Sequence, residues 1–196
     1  MSQGTVSRTT WVERLCQELT AVGGHYHQVA SGEEVARVII DVARSQQLER
    51  VVLWRGAMLD GLALAGRLGE AGLHVAVIEA GMDREQARRL CAEADVGITE
   101  VDFALAETGS LVLASGPGHP RLASALPRVH MAVLDPRTVV PDFETLLGQL
   151  QAGDLLRERS NLAFITGPSR TADIELTLTR GVHGPREVHL LIHQPA

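Results

Sequence analysis

The hydrophobic positions of this chain recur with helical spacing in some segments and run without interruption in others. Between Thr9 and Val22 the apolar side chains follow the i, i+3, i+4 rhythm of an amphipathic helix, and the two glycines that follow end it. Ser31-Gly-Glu-Glu34 has the form of a capping box and predicts a second helix. Further helices are predicted over Asp60–Ala71, Asp83–Ala94, Arg121–Leu126, Asp142–Gln151 and Asp173–Arg180.

Short, uninterrupted apolar runs lie between the predicted helices. A run without polar alternation indicates a strand that is buried on both faces of a sheet. When such strands alternate with helices, they predict an α/β fold with a mainly parallel sheet and helices on each side. The runs with this character are Val51–Trp54, Val75–Ile78, Leu111–Ala114 and Leu162–Ile165.

The domain organisation follows from the length of the chain. A chain of 196 residues favours one domain, which we place over residues 1–196. We expect residues 1–30 to form an N-terminal helical segment packed on this domain, with His25–Val29 as a short strand. The most polar connector, residues 153–160, is expected to be flexible.

The charged residues exclude several classes of function. The net charge is −6, which argues against a nucleic-acid-binding surface. All 18 basic residues are arginine, so the chain has no lysine for a Schiff base, for pyridoxal phosphate attachment or for a phosphate-binding P-loop.

No apolar run reaches the roughly 18 residues needed to span a bilayer, and the first residues lack a hydrophobic signal segment. We therefore expect a cytoplasmic protein with no membrane span.

The two cysteines limit what metal chemistry the chain can hold. Cys16 and Cys91 both lie in apolar helical patterns, which is typical of small core residues. Two separated thiols cannot hold an iron–sulfur cluster, which needs about four ligands, and do not make a zinc site by themselves. Two-histidine spacings such as His25 and His27 are a weak signal, so we predict no metal site.

Acidic, hydroxyl and glycine residues concentrate in the segment Gly97–His119. Two strand-like pieces flank a predicted short helical turn that carries Asp102 and Glu107. Glu107 could act as a nucleophile, a general acid or base, or an acceptor for a ligand, or it could be a structural carboxylate that caps backbone N–H groups. Thr108 and Gly109 follow it directly. Asp102 is interpreted as structural.

A second segment, Thr166–Glu175, has the same character. Its loop follows a predicted strand and precedes a predicted helix, where backbone N–H groups, the hydroxyls of Ser169 and Thr171 and the charge of Arg170 could hold a phosphate or carboxylate. Alternatively, one hydroxyl caps the helix and Arg170 pairs with Asp173 or Glu175.

We predict that the two segments converge at one rim of the sheet around a small anionic ligand. His183, which glycines flank on a loop, is a further pocket candidate, and His119 is a weaker one. The predicted ligand-binding residues are Thr108, Gly109, Ser115, Gly116, Gly167, Ser169, Arg170, Thr171, Asp173 and His183, with Glu107 as the catalytic candidate.

These motifs resemble those of the LUD-domain family. The resemblance is carried by Gly97–Leu113, by Thr166-Gly-Pro-Ser-Arg-Thr-Ala-Asp-Ile-Glu175 and by Gly181-Val-His-Gly-Pro185, and it extends over roughly residues 95–192. It implies a three-layer α/β/α fold of the type shared by ribose-5-phosphate isomerase, glucosamine-phosphate deaminase and the CoA transferases. It also implies a role in bacterial oxidation of L-lactate to pyruvate by a multi-subunit system that contains iron–sulfur clusters.

The resemblance leaves three functions open. The first is an accessory or substrate-binding subunit that holds no cofactor itself, with the iron–sulfur clusters on partner subunits. The second is an acyl- or CoA-transferring enzyme with Glu107 as nucleophile, because Ala106-Glu-Thr-Gly109 is similar to the nucleophile motif of CoA transferases. The third is a purely structural partner. Whether the chain is an enzyme stays open at this point.

Overall fold

The structure is a computed structural model that describes residues 7–172, 178–180 and 184–195. Helices and strands alternate along most of the chain. The helices are α1 Arg8–Ala21, α2 Gly32–Ser45, α3 Ala57–Gly61, α4 Leu64–Glu70, α5 Arg84–Glu93, α6 Leu122–Ala125, α7 Phe143–Ala152 and α8 Leu155–Glu158. The strands are β1 His25–Val29, β2 Arg50–Trp54, β3 His74–Ile78, β4 Val96–Val101, β5 Phe103–Leu105, β6 Ser110–Ser115, β7 Val129–Leu134, β8 Val139–Val140, β9 Asn161–Ile165, β10 Arg170–Ala172, β11 Leu178–Arg180 and β12 Glu187–His193.

A six-stranded parallel sheet with the order β1-β12-β7-β4-β2-β3 forms the centre of the fold. Its inner strands β12, β7, β4 and β2 are largely buried, because helices cover the sheet and one large apolar cluster fills the space between the layers, whereas the edge strands β1 and β3 are partly exposed. The predicted α/β fold with a mainly parallel sheet and flanking helices is thereby confirmed. No helix in the described ranges is both long and apolar enough to cross a bilayer.

A second sheet of four strands, with the order β8-β5-β6-β9, was not expected from the sequence. The runs Leu111–Ala114 and Leu162–Ile165 belong to this sheet and pair antiparallel, so their assignment to the parallel sheet was wrong. Alternate residues of β6 face different cores: Leu111 and Leu113 join the main cluster, whereas Val112 joins a smaller cluster beneath α7. An uninterrupted apolar run therefore indicates that a strand is buried on both faces, but it does not indicate whether the strand pairs parallel or antiparallel with its neighbours.

Most predicted helices are present. Ser31 Oγ accepts from the N–H of Glu34, which confirms the predicted serine cap of α2. Glu34 Oε2 accepts from the N–H of Ala30, one residue before the N-cap. The helix predicted over Asp60–Ala71 is broken into α3 and α4 at Ala63, whose φ is +52°. A periodic apolar pattern does not show where one residue adopts a left-handed backbone conformation and interrupts a helix.

Two further helical predictions were wrong. The turn predicted between Ile98 and Ser110 contains the strand β5. In place of the C-terminal part of the helix predicted over Asp173–Arg180, Leu178–Arg180 pairs antiparallel with Arg170–Ala172. The hairpin contains a threonine in each strand, Thr171 and Thr179, and β-branched residues of this kind favour strand over helix.

Candidate functional site

The topology of the parallel sheet creates a crevice between β2 and β4. From β2 the chain moves outward to β3 and then returns to β4 on the other side of β2. At such a switch point the connections leave in opposite directions, and ligands of open α/β sheets bind beyond the carboxyl ends of the strands. Trp54 ends β2 and Val101 ends β4, so these positions mark the crevice.

Two carboxylates lie at the end of β4. Glu100 is half-buried, and its Oε1 accepts a hydrogen bond of 2.9 Å from the N–H of Leu59 in α3. Gly56 gives the Glu100 carboxylate room, since a Cβ at that position would overlap it. Asp102 Oδ2 accepts from the N–H of Ala114 at 2.7 Å. Burial raises the pKa of Asp102, and the hydrogen bond from Ala114 and the nearby Arg159 and His119 only partly oppose this effect.

A tight turn closes one side of the crevice. The N–H of Gly116 donates to the carbonyl of His119, and the N–H of His119 donates back to Gly116. Pro117 and Gly118 occupy the central positions, and the φ of +76° at Gly118 is that of a type II turn. The turn places the His119 ring edge-on to Trp54, with ring centroids 4.8 Å apart.

Arg159 enters the crevice from the segment that precedes β9. Its Nη1 lies 2.5 Å from Nδ1 of His119 and donates to it in the tautomer whose Nδ1 is unprotonated. In the other tautomer Nδ1 donates to the carbonyl oxygen of Pro117, 3.2 Å away. Among the side chains that the structure describes, no carboxylate pairs with this half-buried guanidinium. Most arginines in such surroundings are paired, so an unpaired one indicates a place for an anion.

Three buried polar atoms in this region have no hydrogen-bond partner in the described part of the chain. They are Arg159 Nε, Trp54 Nε1 and Ser115 Oγ. Ser115 lies next to the arginine because its carbonyl accepts from the N–H and the hydroxyl of Ser160. Buried polar groups are nearly always paired, and unpaired ones mark a site that a ligand or water completes.

We call this group of residues the Arg159 crevice. Its guanidinium, indole N–H and hydroxyl groups are donors suited to a carboxylate, and its two carboxylates are acceptors suited to a hydroxyl group. The crevice comprises Trp54, Glu100, Asp102, Ser115, His119 and Arg159.

Two cavities of the described structure lie outside the crevice. One of about 160 Å³ lies beside it, between β2, α3 and α4, and is lined in part by Arg55 and Asp60. A larger one of about 280 Å³ lies near the amino ends of β2 and β3 and includes Arg50, His74 and Glu93. We place the site at the crevice because unpaired buried donors identify a polar ligand more specifically than cavity volume does.

The two segments that the sequence singled out do meet, although not at the crevice. Ser110 Oγ lies 2.8 Å from Thr108 Oγ1 and 2.6 Å from Thr166 Oγ1, so a chain of hydroxyls joins them. Gly109 has a φ of +69° and packs against the backbone of Leu19 in α1. This contact lies at the start of β6, about 17 Å from Ser115 at its other end, given roughly 3.3 Å per residue.

The predicted site residues are therefore divided. Ser115 and Gly116 belong to the crevice end of β6, whereas Thr108, Gly109 and Gly167 lie at the far end. Glu107 Oε1 accepts from the N–H of Phe143 at 2.9 Å and caps α7, in agreement with its structural alternative.

The later segment does not form the expected helix start. Arg170 begins β10, and its Nη2 donates to the carbonyl of Val22. The N–H of Ser169 donates to the carbonyl of Pro185. Thr171 belongs to β10, and Asp173 and His183 lie outside the described residues. The ligand-binding roles of all these residues stay predictions.

Sequence reasoning missed Trp54, Glu100 and Arg159 as site residues and ranked His119 low. The first two lie at strand ends, where a ligand was to be expected once the strand order was known. Arg159 lies in the connector that was predicted to be flexible and that contains α8. No sequence motif links it to His119, which is 40 positions away.

Comparison with known proteins agrees with the motifs. Residues 12–193 match the profile of the LUD domain. The chain is 34% identical to lactate utilization protein C of Halalkalibacterium halodurans over 158 residues, which cover 78% of this chain and 66% of that protein. It is 41% identical to lactate utilization protein C of a Geobacillus species over 104 residues, 51% of this chain and 42% of the relative.

More distant relatives extend the match. Lactate utilization protein B of Shouchella clausii is 25% identical over 236 residues, which cover 93% of this chain and 48% of the relative. A crystal structure of a DUF162 family protein from Deinococcus radiodurans superimposes with a TM-score of 0.69 at 19% identity, covering 96% of this chain and 99% of that one, which shows a shared fold. Because residues 12–193, nearly the whole chain, match the family profile, the chain belongs to the LUD domain family.

Proposed function

We propose that the Arg159 crevice binds a small carboxylate and that the chain serves lactate utilization as a substrate-binding or accessory subunit. The names of the relatives support a role in lactate utilization. The chain spans between 42% and 66% of the lactate utilization C proteins compared above, so an activity shared with those whole proteins is part of the proposal. The observation that carries the proposal is the half-buried guanidinium without a described carboxylate partner.

The geometry of Arg159 favours a planar anion. Since Nη1 donates to His119, the Nε and Nη2 groups remain as a side-on fork, and Nε is buried and unpaired. A fork of this kind binds both oxygens of a carboxylate. The ligand would thereby place a carboxylate in direct contact with the guanidinium, which Asp102 lies near without forming an ion pair.

The carboxylates of the crevice favour a 2-hydroxy acid over a 2-oxo acid. Glu100 and Asp102 are acceptors when ionised, and a hydroxyl group next to the bound carboxylate can donate to them. A ketone cannot donate. We therefore expect L-lactate to bind more tightly than pyruvate.

Electron transfer from the substrate would require partner subunits. Burial, together with a smaller effect of Glu13, raises the pKa of Cys16 to about 11, and burial alone raises that of Cys91 to about 11. Thiols with such pKa values stay protonated at neutral pH and are poor metal ligands. Iron–sulfur clusters belong, in this proposal, to the partners.

Tryptophan fluorescence tests the proposal directly. In a Trp11→Phe background Trp54 is the remaining tryptophan, and its ring contacts His119. We expect its emission to change with L-lactate but not with lactamide, which lacks the negative charge. Arg159→Gln should weaken lactate binding by about 10- to 100-fold, the value of one or two charge-assisted hydrogen bonds.

Arg157→Gln is the matched control, because Arg157 is exposed and pairs with Asp154. It should leave lactate affinity unchanged. Equal binding of lactamide, or equal effects of the two arginine variants, would contradict the proposal. Wild-type protein that binds no carboxylate but retains partner subunits in a pull-down would support the purely structural role instead.

A further inference from the structure

A second group of histidine and carboxylate side chains lies at the opposite, amino-terminal part of the parallel sheet. β1 and β12 pair with His25 opposite His189, so His25, His27, Glu187 and His189 share one face of the sheet edge. One ligand atom from each of His25, Glu187 and His189 lies within 4.8 Å of the others. We propose that these three residues bind a divalent transition-metal ion, with Zn²⁺ as the expected occupant.

The ligand types and their exposure suit this ion. Two imidazoles and one carboxylate are a common three-ligand set for zinc, which leaves a fourth position for water or a small ligand. His189 is buried, Glu187 is half-buried and His25 is exposed, so an ion could enter from solvent and be held from inside. The rings of His25 and His189 are stacked with centroids 4.7 Å apart, and the exposed His25 ring can turn toward an ion.

Residues behind the ligands can hold them in position. His27 Nε2 lies 3.1 Å from His189 Nδ1, so His189 can donate its Nδ1–H to His27 while Nε2 binds the ion. Gln46 Nε2 donates to Glu187 Oε2 at 2.8 Å. Its Oε1 is buried and unpaired within the described residues, and a water molecule on the ion would provide a donor for it.

The protonation states agree with metal binding. Burial lowers the pKa of His189 and of His27, which favours the neutral imidazoles that metal ions require. Burial opposes ionisation of Glu187, but hydrogen bonds from His189 and Gln46 outweigh it and lower the pKa of this carboxyl group. His189 Nε2 and Glu187 Oε2 are 3.1 Å apart, so an ion would replace their direct hydrogen bond.

Competition between the untagged protein and a chromophoric zinc chelator tests this site. We expect one Zn²⁺ per chain, and Co²⁺ in the same site should show the visible absorption of a four-coordinate complex. His25→Ala and Glu187→Gln should each weaken Zn²⁺ binding at least about tenfold. Gln46→Leu should weaken it by about tenfold, because this change removes the hydrogen-bond partner of the ligand Glu187.

His74→Ala is the control, because His74 lies at the start of β3, on the other edge strand of the sheet. It should not change Zn²⁺ affinity. His25 is exposed, so His25→Ala tests the site without disturbing the core. Absence of stoichiometric Zn²⁺ binding by the wild type would overturn the proposal, and so would equal affinities of the His25→Ala, Glu187→Gln and His74→Ala variants.

Discussion

Asp102 joins the two sheets and also lies in the proposed ligand site. Its N–H donates to the carbonyl of Val112, and its carboxylate accepts from the N–H of Ala114, so the start of β5 is fixed against β6. Burial raises the pKa of Asp102. When the folded-state pKa of a carboxyl group is raised, the protonated group contributes to the stability of the fold. This contribution is fully present below the pKa of the unfolded state and is lost as the pH rises through the pKa of the folded state.

Replacing Asp102 by asparagine should therefore stabilise the protein at pH 7. The amide oxygen can still accept from Ala114, and the cost of burying a charge is removed. Denaturant unfolding should show a higher free energy of unfolding at pH 7 than for the wild type, and this gain should shrink as the pH approaches 4.

The same variant should weaken lactate binding, because an acceptor for the hydroxyl group is lost. A gain in stability with a loss of binding is the trade-off expected of a site residue. A variant that is less stable than the wild type at pH 7 would show that the ionised carboxylate is preferred in the fold.

At the scale of elements, α7 begins with two carboxylates from different parts of the chain. Asp142 Oδ1 accepts from the N–H of Thr145 at 2.7 Å, and Glu107 Oε1 accepts from the N–H of Phe143 at 2.9 Å. The first is a local cap that the sequence indicates, with Pro141 before it. The second comes from 36 positions upstream and ties the loop after β5 to the helix.

Glu107→Ala should lower the free energy of unfolding by about 1 kcal/mol, the usual cost of losing a cap. Glu107→Gln should lose little, because the amide oxygen can accept from Phe143. Denaturant unfolding of both variants gives the comparison.

After incubation of the wild type with an acyl-CoA, mass spectrometry should find the Glu107 peptide unmodified; a thioester there would instead support acyl transfer with Glu107 as nucleophile.

How well the sequence predicted the elements depended on how local their causes are. The capping box of α2 and the apolar stripe of α5 act within a few residues, and both helices were found. The break at Ala63 and the hairpin of β10 and β11 depend on what the chain packs against, so the periodic pattern was misleading there.

At the scale of the whole molecule, the parallel sheet encloses a histidine. His130 in β7 is fully buried, and its Nε2 lies 2.9 Å from Thr99 Oγ1 in the adjacent β4. Burial, together with a smaller effect of His189, lowers its pKa to about 3. Since the unfolded state binds a proton more readily, the stability that neutral His130 contributes is fully present above its unfolded pKa of about 6.5 and is lost as the pH falls toward 3.

Acid should therefore unfold the protein in part through His130. Between pH 7.5 and pH 5 this one residue should reduce the free energy of unfolding by about 2 kcal/mol. In His130→Gln the loss over this range should be smaller by that amount, even if the variant is less stable at pH 7.5.

His74→Gln, at an exposed edge, is the control and should keep the wild-type pH dependence. Unfolding at both pH values should be measured with a chelator present, so that bound metal does not contribute. An unchanged pH dependence in His130→Gln would show that this residue is not a source of acid sensitivity.

The sequence by itself determined most of the helices and strands and which chemically active residue types the chain contains. Helix periodicity, caps and buried apolar runs depend on neighbours within a few positions, and the motifs around Glu107 and Ser169 were sufficient to indicate the family. The absence of lysine and the presence of two cysteines limit the chemistry of the chain whatever its fold.

Only the tertiary structure decided which side chains meet. The return of the chain from β3 across β2 to β4 creates the crevice, and the Pro117-Gly118 turn brings His119 to Trp54 and Arg159. In the same way the pairing of β1 with β12 brings His25 to His189, 164 positions later. Strand order depends on the packing of the whole chain, and no local pattern carries it.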